Sequence, residues 1–164
     1  MKFVAILMGS KSDYEVMSEA ARVLEGFGVK YELIITSAHR SPKRTKDYIK
    51  EAEQKGAKVF IAAAGMAAHL AGAVAAYTTK PVLGVPMSGT NLGSMDSLFS
   101  TVQMPSGIPV GTLAIGKAGA MNAAYLAVQI LALNDENLAK ALKEERKTKE
   151  DKLVKDSKSV EVIL

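Results

Sequence analysis

Phe3-Val4-Ala5-Ile6-Leu7-Met8-Gly9-Ser10-Lys11-Ser12-Asp13 opens the chain with six apolar residues, a glycine, and a short polar run. An apolar run of that length reads as a strand covered on both faces. Val16, Met17, Ala20, Val23, Leu24 and Phe27 then follow at helical spacing. Ser12 with Glu15 three residues on reads as a capping box at the helix start. Gly28 sits where a helix ends in a left-handed residue. A buried strand that enters a helix through a tight glycine turn is the first half of a βαβ unit.

The same alternation continues along the chain. Strands are expected over Tyr31 to Thr36, Lys58 to Ala64, Pro81 to Pro86 and Pro109 to Ile115. Helices are expected from Ser41-Pro42 to Lys55, from Ala67 to Tyr77, around Ser97 to Gln103, from Ala118 to Leu133, and from Asn137 to Lys155. Ser41 and Pro42 suit a cap and a first helical turn, and Gly56 suits a stop. Strands alternating with helices imply a parallel sheet with right-handed crossovers, a three-layer α/β/α sandwich on five strands. The 164 residues suit one domain over 1–164, with a core over 3–133 and a charged helical extension over 134–164.

Composition narrows the function classes. Cysteine is absent, so disulfides, thiolate nucleophiles and Cys-based zinc sites are excluded. His39 and His69 are the two histidines, too few for a His-rich metal centre, and no metal is expected. No apolar run reaches the 18 or so residues of a membrane span. The N-terminus reads as a strand rather than a signal peptide, so the cytoplasm is the expected compartment. Net charge is +4, but no dense Lys/Arg cluster with interleaved aromatics is present, so nucleic acid is not the expected partner.

Charge is unevenly spread. Val59 to Asn134 carries Lys80, Asp96 and Lys117 alone, whereas Asp135 to Leu164 carries eight acidic and eight basic residues. So long a charge-poor stretch, rich in alanine, suggests burial both inside the domain and between copies of the chain.

Ligands of open parallel sheets bind beyond the carboxyl ends of the strands. Three such ends hold chemically versatile residues: Gly9 to Asp13, Ser37 to Arg40, and Gly65 to Leu70. After the first strand, outward amides with Ser10 and Ser12 suit a phosphate, whereas Asp13 suits ribose hydroxyls or plain helix capping. Arg40 is a forked cation suited to phosphate. His39 is the best general acid/base candidate, because imidazole titrates near neutral pH. His69, near a helix start, suits either a structural role or substrate contact. Gly111 to Ala118 imitates a phosphate-binding P-loop but ends in Ala118, where magnesium would need a hydroxyl. Gly93-Ser94 and Ser97 near Asp96 read as a flexible lid or helix cap rather than a nucleophile triad.

Six motifs occur in order: Gly9 to Asp13; Ser37-Ala38-His39-Arg40 with Pro42; Ala64 to Leu70; Pro81 to Pro86; Asp96-Ser97-Leu98; and Gln103-Met104-Pro105 with Gly107 to Gly116. Together they resemble the bacterial N5-carboxyaminoimidazole ribonucleotide mutase family of purine biosynthesis, over about residues 3 to 133. The resemblance implies a flavodoxin-like fold, a homo-octamer, and conversion of N5-carboxyaminoimidazole ribonucleotide to 4-carboxyaminoimidazole ribonucleotide without a cofactor. It implies functional coupling to an ATP-dependent synthetase. It also implies that His39 is the essential histidine and that Ser10, Asp13 and Arg40 bind substrate. Ser12, Ser37, Gly65, His69 and Leu70 match the surrounding pocket. Loops Ser37 to Ser41 and Gln103 to Ile108 are the expected lids. The chain departs from the family pattern at Met66, where relatives usually have Gly, at Ala71, where Pro is usual, and at Gly93-Ser94, where Ser-Gly is common. A related carboxylase branch, which uses carbon dioxide directly, usually has Lys in place of Arg40. A flavodoxin-like flavin- or nucleotide-binding module is the alternative of another class.

Overall fold

A computed structural model describes residues 2–163. The elements alternate as expected: β1 (Phe3–Met8), α1 (Tyr14–Gly26), β2 (Tyr31–Ile35), α2 (Pro42–Lys55), β3 (Ala57–Ala64), α3 (Leu70–Tyr77), β4 (Val82–Pro86), α4 (Met95–Val102), β5 (Gly111–Thr112), α5 (Gly116–Ala132) and α6 (Glu136–Lys158). A 3₁₀ turn over Lys11–Asp13 precedes α1. The chain divides into two compact units, one up to Val128 and the other from Gln129.

In the first unit the strands form one parallel sheet in the order β2-β1-β3-β4-β5. That order is the flavodoxin-like one, and its switch point lies between β1 and β3. All six residues of β1 are buried, as a strand flanked by neighbours and covered on both faces must be. On one face Phe3, Ala5, Leu7, Phe60 and Ala62 pack with Ile49 and Ala52 of α2 and with Leu70, Ala71 and Val74 of α3. Val4, Ile6, Val59 and Ile61 are equally buried, as are Met17 and Leu24 of α1 and Ala120, Ala123 and Ala124 of α5. An edge-on contact of the Phe27 and Tyr125 rings, with centroids 5.8 Å apart, ties α1 to α5. Each large core side chain stabilises the fold by roughly 1.5–3 kcal/mol, so the sheet is the rigid base for the loops at its carboxyl end.

The second unit is dominated by α6. Asp135 caps it, accepting from the amides of Asn137 and Leu138. None of its residues is buried, in keeping with its dense and balanced charge.

Five local expectations are corrected. The capping box is Ser10 with Asp13, one turn earlier than Ser12 with Glu15, because the 3₁₀ turn takes up the polar run before α1 begins. The Ser41 side chain does not cap α2; it is turned back onto Ser37. Helix α3 starts at Leu70 rather than Ala67, because Met66 adopts a left-handed conformation (φ +54°) and the His69 amide closes a tight turn onto the Ala67 carbonyl. Strand β5 spans Gly111–Thr112, not Pro109 to Ile115. The chain leaves the sheet after Thr112 and turns into α5, with the Ala114 carbonyl so near the first turn that a Cβ on Gly119 would lie 2.1 Å from its oxygen. Ahead of β5, Pro109 and Val110 find no partner on β4, where the register begins at Gly111. Helix α5 in turn starts at Gly116, two residues before Ala118.

Candidate active site

Loops after β1, β2, β3 and β4 surround one cavity of about 890 Å³ at the carboxyl end of the sheet. Its size suits a nucleotide-sized ligand. All nine residues singled out in the sequence line it: Ser10, Ser12, Asp13, Ser37, His39, Arg40, Gly65, His69 and Leu70.

The first wall is the turn after β1. Gly9 stays anchored to the sheet through its amide and the Ala63 carbonyl, at 3.0 Å. Ser10 is extended, so its side chain can turn inward on the 3₁₀ turn and accept from the Ser12 amide. The Ser10 amide donates to Asp13 Oδ2 at 3.1 Å. The Ser12 hydroxyl lies 3.0 Å from Ser10 Oγ. Asp13 is almost fully buried. Burial pushes its carboxyl above the ordinary value of 3.8, against the smaller opposing pulls of the Ser10 amide and the Ser12 hydroxyl.

The second wall is the loop after β2, a tight clasp built from hydroxyls. Ser41 Oγ accepts from the Ser37 amide at 2.9 Å, and the Ser41 amide donates to the Ser37 carbonyl at 2.9 Å. Ser37 Oγ accepts from the Arg40 amide at 3.1 Å. Beneath the clasp, Thr36 and Thr45 are buried with their hydroxyl oxygens 2.8 Å apart. The clasp directs Arg40 across to the first wall, where its Nη2 donates to the Gly9 carbonyl at 3.0 Å. The guanidinium keeps further N–H groups for an anion.

The third wall follows β3. His69 stands at the N-cap of α3, with no capping bond from its side chain. Its Nδ1 lies 2.6 Å from His39 Nε2, and the two rings meet edge to face. Gly65, Met66 and Leu70 complete this side. Met66 is 71% exposed despite being apolar.

A fourth wall adds residues that the sequence did not single out, although Gly93-Ser94 and Ser97 near Asp96 read as a flexible lid or helix cap. Met87 to Leu92, together with Asp96, line the cavity beyond β4. The available signal was positional, because this is a fourth carboxyl end of the same parallel sheet, glycine-containing like the others. The Met87 amide donates to the Ala64 carbonyl at 2.9 Å, which joins this wall to the third. The segment Gln103 to Ile108, expected as a lid, does not line the cavity. Gly107 and Ile108 instead border a separate depression near Lys80 and Pro81, before the start of β4. Among the described residues no three His, Asp or Glu side chains gather to hold a metal ion.

The site therefore combines an anchored arginine, serine hydroxyls, a buried carboxylate and a contacting imidazole pair, all at the switch point of a flavodoxin-like sheet. The fold and the site define an α/β protein with a nucleotide-sized pocket at the carboxyl end of its sheet, lined by groups whose chemistry suits a small anionic ligand. Comparison with known proteins is more specific. The family model described as AIR carboxylase matches residues 3–152. A Vibrio vulnificus protein named N5-carboxyaminoimidazole ribonucleotide mutase is 56% identical over 82% of this chain and 84% of its own. A Brucella melitensis protein of the same name is 57% identical over 88% of this chain and 89% of its own. The crystal structure of Treponema denticola PurE superposes with a TM-score of 0.89 at 28% identity, covering 99% of this chain and 100% of that one. The chain belongs to the AIR carboxylase family.

Proposed function

We propose that the protein is an enzyme that converts N5-carboxyaminoimidazole ribonucleotide to 4-carboxyaminoimidazole ribonucleotide in purine biosynthesis. The observation that carries this reading is the His39–His69 pair beside Arg40 in a chain 56% and 57% identical, over the aligned residues, to proteins bearing that mutase name.

The chemistry needs one carboxyl group moved and one proton exchanged. The N–C bond of the carbamate breaks, carbon dioxide forms, and the exocyclic nitrogen takes up a proton. Ring carbon C4 then bonds to the same carbon dioxide, and the C4 proton leaves. Uptake and release balance, so one acid–base group can serve both steps, and His39 is assigned that role. Arg40 with Ser10, Ser12 and Ser37 suits the phosphate, and Asp13 suits the ribose hydroxyls, which donate to a carboxylate. Gly65, His69 and Leu70 border the base. Keeping the freed carbon dioxide against C4 makes recombination effectively unimolecular, which favours an enclosed site.

The same reading includes oligomerisation, with a homo-octamer as its specific form. In its support, Met95, Phe99 and Val102 lie at helical spacing on α4 and are 47%, 54% and 43% exposed. Such an apolar face suits a partner copy. No helix among the described residues is long and apolar enough to cross a membrane, and a cytoplasmic location fits a ribonucleotide substrate. The carbamate must come from an ATP-dependent carboxylation, which is the proposed link to a synthetase.

The test supplies purified protein with N5-carboxyaminoimidazole ribonucleotide, without metal, ATP or bicarbonate, beside His39→Asn. Product is expected from the wild type and at least roughly 100-fold less from the variant. Carboxylation of aminoimidazole ribonucleotide only when bicarbonate is added would replace the mutase reading with direct carboxylation.

A further inference from the structure

The loop beyond β4 is bound at its base and at its tip by different groups. At the base, the fully buried Ser97 hydroxyl lies 2.8 Å from the Met87 carbonyl and 3.0 Å from that of Ser94, and so draws the two ends of the loop together. At the tip, the half-buried Thr90 hydroxyl donates to Asp96 Oδ1 at 2.6 Å and accepts from the Ser94 amide at 2.9 Å. The second contact supports a strained turn, because Ser94 has φ +69°, a conformation that costs a side-chain-bearing residue free energy. Between base and tip the loop lines the cavity that holds His39 and Arg40. One hydroxyl therefore connects the cavity wall to a carboxylate in the first turn of α4.

We propose that Thr90 is a positioning residue for the reaction, acting through Asp96 to hold the loop after β4 as a wall over bound substrate. The proposal rests on the mutase reading for its substrate. Thr90 sets the fraction of the protein whose loop is docked, and apparent affinity scales with that fraction. Hydrogen bonds to charged groups are strong enough that losing this one should undock the loop in most molecules. The wall acts on binding, and the proton transfer at His39 follows once it is formed.

Thr90→Val keeps the shape and removes the hydroxyl, whereas Thr90→Ser keeps the hydroxyl. The expected result is a KM about tenfold higher for Thr90→Val with kcat within about twofold, and a KM within about twofold of wild type for Thr90→Ser. Hydrogen exchange of the backbone amides from Ser88 to Ser94 is expected to accelerate in Thr90→Val and not in Thr90→Ser. Unchanged KM and unchanged exchange in a folded Thr90→Val would overturn the proposal, as would a loss confined to kcat. A wild type that does not turn over N5-carboxyaminoimidazole ribonucleotide would overturn the mutase reading and with it this role. An active wild type with an indifferent Thr90→Val would overturn the positioning role alone.

Discussion

His39 Nε2 and His69 Nδ1 stand 2.6 Å apart, with ring planes at 75°. The contact joins the loops after β2 and β3, which lie on either side of β1 in the sheet. At that distance one ring donates an N–H and the other accepts it. The contact couples the tautomers of the two rings and fixes the direction in which the His39 ring faces, which is what the proton-shuttle role proposed for His39 needs from a neighbour.

Removing the partner should therefore damage catalysis more than binding. His69→Leu is expected to lower kcat roughly 10- to 100-fold, a part of what acid–base catalysis contributes, with a smaller rise in KM from the contact it loses at the border of the base. His69→Asn places an amide group near the Nδ1 position and should retain more activity than His69→Leu. Steady-state kinetics on both variants checks the order. Equal kcat for wild type and His69→Leu would show that His39 needs no orienting partner.

Asp13 predicts a pH dependence with a definite sign. Its folded carboxyl titrates above 3.8, chiefly through burial. The folded chain thus binds this proton more tightly than the unfolded chain, so the contribution of Asp13 to stability falls as pH rises from 3.8 through the raised value. Above that window the folded protein carries a constant cost for a buried charge. Asp13→Asn retains an acceptor for the Ser10 amide and removes the charge. Its urea midpoint should exceed that of wild type near pH 7, and the gap should close near pH 3, where the wild-type carboxyl is largely protonated in both states. A midpoint below wild type near neutral pH would show that the Ser10 and Ser12 bonds outweigh burial.

The Thr36–Thr45 pair should behave as a unit. Both residues are buried, at 2% and 1% exposure, and their hydroxyls meet at 2.8 Å under the loop that carries His39 and Arg40. Thr45→Val leaves the buried Thr36 hydroxyl with the longer contact of 3.3 Å to Ser41 Oγ and removes the Thr45 bond to the Ser41 carbonyl. The expected loss is about 1–3 kcal/mol, whereas the double variant Thr36→Val/Thr45→Val should lose less than the sum of the singles. Denaturant unfolding of the four proteins in the cycle measures the coupling directly, and additive losses would mean that the two hydroxyls act independently.

The core and the first three site walls were legible because each rests on a local pattern. Apolar runs such as Phe3 to Met8 announce strands, and position at the end of a parallel strand marks Ser10, His39 and His69 for a shared site. The His39–His69 contact was not legible, since it depends on how far α3 is delayed after β3. That delay comes from the turn at Met66 and Ala67, which carries no periodic signal. Likewise the apolar residues from Pro109 to Ile115 satisfy a strand pattern, yet only Gly111 and Thr112 find partners on β4. Pairing is a property of the neighbour's geometry, to which hydropathy is blind. The fourth wall was legible only as a flexible lid or helix cap, without its lining residues, because a loop rich in Gly, Ser and Asn reads the same whether it faces solvent or a ligand.

Met66 and Gly28 form a matched test of backbone strain. Both are left-handed, with φ of +54° and +66°. A side chain at such an angle costs about 1 kcal/mol or more, which glycine avoids. A Cβ on Gly28 would meet nothing within 4 Å, so Gly28→Ala isolates the conformational cost from any clash. Met66 is 71% exposed, so Met66→Gly forfeits little buried surface. The two substitutions should therefore move stability in opposite directions. Gly28→Ala is expected to lower the Tm by about 2–4 °C and Met66→Gly to raise it by a similar amount, the shift that roughly 1 kcal/mol produces in a chain of this size. Thermal unfolding of both variants at one pH and protein concentration decides the matter. If Met66→Gly is instead destabilising, the contacts of the Met66 side chain and the unfolded-chain entropy added by glycine outweigh the relieved strain, and a second copy of the chain is one source of such contacts. The octamer proposal would then predict that the same variant also shifts the assembly toward smaller species in sedimentation.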